Sequence, residues 1–139
     1  MKRLVMEEFL YKNTTEKIIG AAMEVHNTLG CGFQEVIFQR ALAYEFSIRA
    51  IRYEREFTMQ IYYKGKNIGT RRVDFLIESK ISLEIKAVSQ LEDVHLSQAL
   101  NYLEVYNLQV GLLINFGARK LEFKRLRNAK YDHGKPISG

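Results

Sequence analysis

Apolar side chains recur at spacings of three and four residues in two segments near the N-terminus, and this periodicity predicts two helices. The first helix should begin near Asn13, because Asn13 and Glu16 resemble a capping box, and should end at Gly30, a natural stop. The second helix should run from about 33 to 48. The apolar stripe of the first helix consists of Ile18, Ala22, Val25 and Leu29.

Strict alternation replaces the helical spacing from Tyr53 to Tyr63 and predicts a strand. Turns at 64–67 and 78–80 separate this strand from a second around Asp74 and a third that carries Glu84. A third helix should cover about 91–106, followed by a buried strand at 110–116 and a last strand near 121–126. A meander followed by a crossover helix and further strands predicts an α/β sandwich around a mixed sheet, but this order of elements gives no function.

The composition is that of one globular domain. The 139 residues, 47% of them hydrophobic, are enough for a self-sufficient core, which we expect over about 13–127, with a flexible tail at 128–139. Cys31 is the single cysteine, so no intramolecular disulfide can form. The N-terminal residues acquire acids before an apolar stretch develops, and the segment therefore resembles neither a signal peptide nor a membrane span. We expect a cytoplasmic protein.

A net charge of +5 is compatible with a polyanionic partner. Basic residues cluster near the C-terminus, where Lys124, Arg125 and Arg127 are candidates for contacts with nucleic-acid phosphates. The same cluster also has a simpler interpretation as a solvated sheet edge that Lys and Arg protect from aggregation. The sequence leaves both interpretations open.

Two acids and a lysine occupy strand positions where a core would favour Val or Leu. Side chains alternate along a strand with a rise of ~3.4 Å per residue, so Glu84 and Lys86 share one face about 7 Å apart. Strand pairing can bring Asp74 beside Glu84. Carboxylates inside apolar strands are costly unless a cation or a partner holds them. Two converging acids with a nearby lysine meet the requirement of a divalent-metal site for phosphoryl chemistry.

The predicted helices add further candidates. Glu35 shares a helix face with Phe38, so it is either a surface residue favoured by the helix dipole or an inward carboxylate that joins the other acids. His95, Gln98 and Tyr102 share a face of the third helix. Gln98 and Tyr102 could bind phosphate or water, or they could belong to a polar helix start followed by a core tyrosine. A zinc site is not expected, because no Cys or second His stands at metal spacing.

At the level of motifs, Asp74 followed by Glu84-Ile85-Lys86 resembles the signature of the PD-(D/E)xK nuclease superfamily, and more narrowly the chain resembles the small prokaryotic group called GxxExxY proteins. The resemblance runs from about Asn13 to Leu126. It implies a restriction-endonuclease-like three-layer sandwich with a mixed central sheet flanked by helices. The matching blocks are Ile18–Ala22, Glu24–His26, Leu29-Gly30, Gly32–Glu35, Tyr62–Lys66, Arg72–Asp74, Glu84–Val88, Val94-His95, Gln98, Asn101–Leu103 and Gly111–Gly117.

The resemblance also implies roles for individual residues. Asp74, Glu84 and the carbonyl of Ile85 would coordinate Mg²⁺, for which Mn²⁺ can substitute, and Glu35 would support the metal. Lys86 would position or activate the attacking water, and Gln98 would be a supporting glutamine. One departure is Phe38, which stands where the group's name motif has Tyr.

These features predict a Mg²⁺-dependent nuclease that hydrolyses phosphodiester bonds of nucleic acid, with DNA favoured. Lys124, Arg125, Arg127 and Tyr102 are the predicted nucleic-acid contacts, and no membrane is involved. The alternative is a non-catalytic nucleic-acid-binding or accessory module that keeps the nuclease fold and works as a homodimer or with a partner that carries the specificity.

Overall fold

The computed structural model describes residues 10–137, and it contains three helices and five strands in this range. The helices are α1 (Lys12–Leu29), α2 (Glu35–Ile48) and α3 (Asp93–Tyr106). The strands are β1 (Tyr53–Tyr63), β2 (Lys66–Ile77), β3 (Ile81–Lys86), β4 (Val110–Asn115) and β5 (Glu122–Arg127). The order of elements confirms the sequence prediction. None of the helices in this range is both long and apolar enough to cross a membrane.

The five strands form one sheet in the order β1-β2-β3-β4-β5. Only β3 and β4 are parallel, because α3 carries the chain from the end of one to the start of the other. The remaining neighbours are antiparallel. The predicted mixed sheet is therefore confirmed, with α1 and α2 packed on one face and α3 on the other.

Each face of the sheet has its own apolar core. The face under α1 and α2 is rich in aromatic rings, and those of Phe38 and Phe116 stack with centroids 4.9 Å apart. Phe38 is fully buried there. The name motif of the GxxExxY group has tyrosine at this position. In this chain the buried phenylalanine packs against other rings and carries no hydroxyl that would need a hydrogen-bond partner. The opposite face packs Leu103 and Tyr106 of α3 against Val73 and Leu113 of the strands.

The helix ends differ in part from the sequence prediction. Gly30 adopts φ 79° and its N–H donates to the carbonyl of His26 over 2.8 Å, which confirms it as the stop of α1. The predicted capping box at Asn13 is wrong, because α1 already begins at Lys12, after Tyr11. A capping box occurs instead on α3, where the side chains of Glu92 and His95 each bind the other residue's backbone N–H.

A buried asparagine braces the loop that follows β3. The side-chain oxygen of Asn115 accepts hydrogen bonds from the N–H groups of Val88 and Gly117, and its amide donates to the Val88 carbonyl and to Glu122. The N–H of Phe116 donates to the Lys86 carbonyl over 2.8 Å. These bonds fix the chain directly after Lys86, so they also fix the end of β3.

We expect Gly117→Ala to destabilise the protein by about 1–3 kcal/mol, since overpacking forces backbone shifts. A Cβ at Gly117 would lie 2.4 Å from the backbone N and O atoms of Val88, where no flexible side chain can yield. The matched control is Gly32→Ala, whose Cβ meets nothing within 4 Å. Thermal unfolding followed by circular dichroism should separate the two variants, and equal melting temperatures would contradict the tight contact.

Candidate active site

The backbones of β2 and β3 stop pairing at the point where the two strand acids occur. The antiparallel register runs from Ile77↔Ile81 to Phe75↔Leu83, so Asp74 and Glu84 would form the next pair. In place of a ladder bond, the N–H of Asp74 donates to Glu84 Oε1 over 3.0 Å. The N–H of Ile85 donates to Asp74 Oδ2 over 2.9 Å. Each carboxylate is therefore held by the backbone of the neighbouring strand, and the two acids are brought together.

A glutamine from α2 completes the environment of Asp74. Gln39 is buried, and its Nε2 donates to Asp74 Oδ1 over 3.0 Å. Gln39 is not among the site residues predicted from the sequence. A signal was present, because Gln39 follows Glu35 by four residues and so lies on the same side of the helix.

The acids carry an excess of negative charge. Burial, followed by repulsion from Asp74, raises the pKa of Glu84 to about 8. Burial also raises the pKa of Asp74, although the hydrogen bonds from Ile85 and Gln39 act in the opposite direction. Two carboxylates that share a site cannot both ionise cheaply without added positive charge. The hydrogen bonds to the two carboxylates therefore do not fully offset their burial and mutual repulsion.

Lys86 and Glu35 lie at the same site. The Lys86 ammonium is close enough to lower the pKa values of Asp74, Glu84 and Glu35, but it does not reverse the upward shift of any of them. Glu35 opens α2 and its side chain is exposed, yet partial burial and then Asp74 raise its pKa. Glu35 thus lies near Asp74 and Glu84 at the exposed side of the site. Gln39, from the same helix, contacts Asp74 directly.

The donor set suits a hard divalent cation. Within residues 10–137, no three acidic, histidine or cysteine side chains form a ready metal cluster, and the supporting role of Glu35 stays a prediction. Asp74 and Glu84 offer carboxylate oxygens. The Ile85 N–H faces Asp74, and because a strand residue directs its N–H and C=O to the same neighbour, the Ile85 carbonyl faces the same side. Two carboxylates and a carbonyl match the preference of Mg²⁺, which usually keeps several waters.

The candidates on α3 have different environments. His95 Nδ1 accepts the Glu92 N–H over 2.9 Å, so this ring caps the helix. The side chain of Gln98 is exposed, and its supporting role stays a prediction. Tyr102 is half-buried, and Arg71 of β2 lies 4.2 Å above its ring. Burial raises the Tyr102 pKa, with smaller contributions from Glu84 and Asp74, so this tyrosine lies within the field of the acid pair.

The C-terminal basic residues do not share one surface. Lys124 pairs with Leu113 and Arg125 with Leu112, so their side chains leave opposite faces of β5. The Arg125 guanidinium donates to the Leu10 carbonyl at the start of α1. Lys124 is exposed on the α3 face of the sheet. Both Lys124 and Glu84 pair with Leu113 of β4, so they lie on the same face at the same level across the sheet. The binding roles of Lys124, Arg125 and Arg127 stay predictions.

The comparisons with known proteins agree with this geometry. A family model described as the PD-(D/E)XK nuclease superfamily matches residues 12–126, so the chain belongs to this superfamily. The crystal structure of SSO0001 is similar, with a TM-score of 0.52 and 18% sequence identity over 66% of this chain. The match covers 48% of that chain, so it spans about half of that protein's length, and at this identity the likeness concerns the fold alone. No curated protein matches. The predicted restriction-endonuclease-like fold is confirmed.

We expect the metal-free protein to lose stability as the pH rises from about 4.5 to 8. In this window the folded state keeps the proton of Glu84 that the unfolded state releases, so raising the pH favours unfolding. The slope for one such group is at most about 1.4 kcal/mol per pH unit. Melting temperatures in chelator-treated buffers would measure it.

Glu84→Gln is the matched control for this titration, since it keeps the shape and removes the ionisable group. Its melting temperature should fall less steeply over the same pH range. Parallel curves for the parent and the variant would mean that folding does not raise the Glu84 pKa.

Proposed function

We propose that the protein is a divalent-metal-dependent nuclease that hydrolyses phosphodiester bonds, with Mg²⁺ as the metal and DNA as the favoured substrate. The observation that carries the proposal is the acid pair held at the divergence of β2 and β3 with Lys86 beside it. Membership of the nuclease superfamily supports this reading. The ordered sequence blocks support the narrower GxxExxY group, although Phe38 departs from its name motif.

Asp74, Glu84 and the Ile85 carbonyl are the groups that would hold the metal. A bound divalent cation offsets the charge that develops on the phosphoryl oxygens and lowers the pKa of a coordinated water. Gln39 keeps the Asp74 carboxylate in a fixed orientation. Lys86 can donate hydrogen bonds to the attacking water and to a non-bridging phosphate oxygen, so its positive charge stabilises the transition state.

The first test is Lys86→Ala with a panel of labelled DNA and RNA strands in Mg²⁺ or Mn²⁺. We expect turnover to fall by orders of magnitude while affinity changes little, because one contact among many is lost in the ground state. Lys86→Arg keeps the charge but changes its geometry, and is the control for simple electrostatic attraction. If the parent binds nucleic acid but neither the parent nor Lys86→Ala cleaves any strand under any metal, the accessory-module alternative is correct.

The second test concerns the metal and uses Asp74→Asn. The Asn oxygen can accept the Ile85 N–H, and its NH₂ can donate to Gln39 once that amide flips, so the fold should be retained. Mg²⁺ at ten times its Kd should stabilise the parent by about 1.4 kcal/mol through mass action. Asp74→Asn should lose both this gain and cleavage. A large loss of stability in metal-free buffer would instead make Asp74 a structural partner of the neighbouring strands.

A further inference from the structure

The hairpin formed by β1 and β2 continues well beyond the site. The β2–β3 pairing ends at Phe75, whereas the β1–β2 pairing continues to Tyr63↔Lys66. We call residues 57–73 the arm. It contains four basic residues and no acid, against a net charge of +5 for the whole chain. These basic residues are Lys64, Lys66, Arg71 and Arg72.

The base of the arm is fixed to α3. The Tyr106 hydroxyl lies 3.0 Å from the Phe57 carbonyl and 3.1 Å from the Arg71 carbonyl, so one buried group bridges both strands of the arm. The Arg71 guanidinium donates to Asn101 Oδ1 over 2.8 Å and lies 4.2 Å from the Tyr102 ring centroid. Arg71 is therefore preorganised, and binding a phosphate would immobilise little further side-chain freedom.

One face of the arm leads away from the acid pair. Arg71 pairs with Met59, and Lys66 pairs with Tyr63. Met59 packs against α3, and Tyr63 lies four residues farther along β1, on the same face. The register shifts by one residue at Ile68 of β2, so Lys66 and Arg71, although five residues apart, lie opposite Tyr63 and Met59 on that face. At ~3.3 Å per residue, Arg71 lies about 10 Å and Lys66 about 26 Å along β2 from Asp74. Residues 62–70 are exposed.

We propose that the arm binds the sugar–phosphate backbone of a nucleic-acid strand and guides it to the acid pair. Arg71 contacts a phosphate close to the acids, and Lys64 and Lys66 contact phosphates farther along the strand. The exposed ring of Tyr63, with Lys64 Nζ 5.4 Å from its centroid, provides a surface on which a base can stack. This inference rests on the proposed nuclease function.

A polyanion is the occupant that the charge favours. Two copies of the chain joined through their arms would bring four basic residues of each together, with no acid in either arm to compensate. Lysines on an exposed edge also discourage strand pairing between copies. The arm begins at the acid pair, which is where a bound strand would have to arrive for cleavage.

The test compares Lys64→Ala/Lys66→Ala with the control Lys17→Ala/Arg52→Ala. The control removes the same charge from exposed positions near Glu78, at the end of the β1–β2 hairpin opposite the tip of the arm. Arg52 forms an ion pair with Glu78 there. Binding is measured in the Lys86→Ala background with a short labelled DNA duplex, its single strand and the matching RNA. If each lysine neutralises one phosphate, the arm variant should lose about 1.4–1.8 units of salt slope and about 25- to 60-fold in affinity near 0.1 M salt. The control should keep both values.

Arg71 is tested separately, by Arg71→Gln and Arg71→Lys with the cleavage-competent chain. We expect Arg71→Gln to lower kcat/KM and the salt slope, and Arg71→Lys to restore the slope but only part of kcat/KM, since a lysine cannot reproduce the stacked planar group. An unchanged melting temperature of Arg71→Gln would exclude a purely structural effect.

The outcomes separate this inference from the proposed function. If the parent cleaves and the arm variant matches the control, the arm inference is wrong and the nuclease proposal stands. If the parent binds through the arm but never cleaves, the binding role of the arm stands, whereas its guiding role and the nuclease proposal fail. A change in oligomeric state of the arm variant, measured by light scattering without nucleic acid, would assign the arm to a second copy and overturn the inference.

Discussion

The exchange of hydrogen bonds between β2 and β3 is the interaction on which the site depends. Where the ladder would have continued with Asp74 and Glu84, each strand's N–H is satisfied by a carboxylate from the other strand. A buried N–H without a partner is costly, so the two acids replace backbone carbonyls as acceptors and close the gap. Their relative position is therefore set by the fold. The cost is electrostatic, because burial and mutual repulsion disfavour ionisation of both groups.

The same divergence shapes the elements around the site. Once β2 leaves β3, its distal part is paired with β1 alone and needs another support, which α3 provides through the Tyr106 hydroxyl. On the other side β3 stays paired with β4 up to Lys86↔Asn115, and Asn115 ties down the loop that follows. One edge of β3 is thus unpaired beyond Leu83, while the opposite edge stays paired with β4. The Lys86 carbonyl accepts the N–H of Phe116, which holds the backbone of Lys86 beside β4. Its ammonium lies close enough to Asp74 and Glu84 to lower the pKa of both carboxyls.

Much of this arrangement was predictable because it follows from chain periodicity. Alternation along the strands gave the sheet, and a hairpin between Asp74 and Glu84 was enough to bring the acids together. The spacing of four between Glu35 and Gln39 indicated only that they share a side of the helix. The contact of Gln39 with Asp74 was not predictable, since it depends on how α2 lies over the sheet. The predicted cap at Asn13 is wrong because Tyr11 adopts the left-handed conformation and α1 already begins at Lys12. The local motif alone did not determine where the helix begins. The number of basic residues in the C-terminal segment suggested one binding surface. The register of β5 instead places Lys124 and Arg125 on opposite faces of the sheet.

The distribution of charge explains why acids and bases are separated in this fold. A phosphodiester that approaches Asp74 and Glu84 is repelled unless positive charge lies between them, and Lys86 alone leaves the Glu84 pKa raised to about 8. Further cations placed against the acids would form ion pairs with them and leave no oxygen for a metal. Arg71 avoids this outcome because Asn101 and Tyr102 hold its guanidinium on α3, outside the acid pair. Positive charge can then attract a strand along the arm while the acids stay available to a divalent cation.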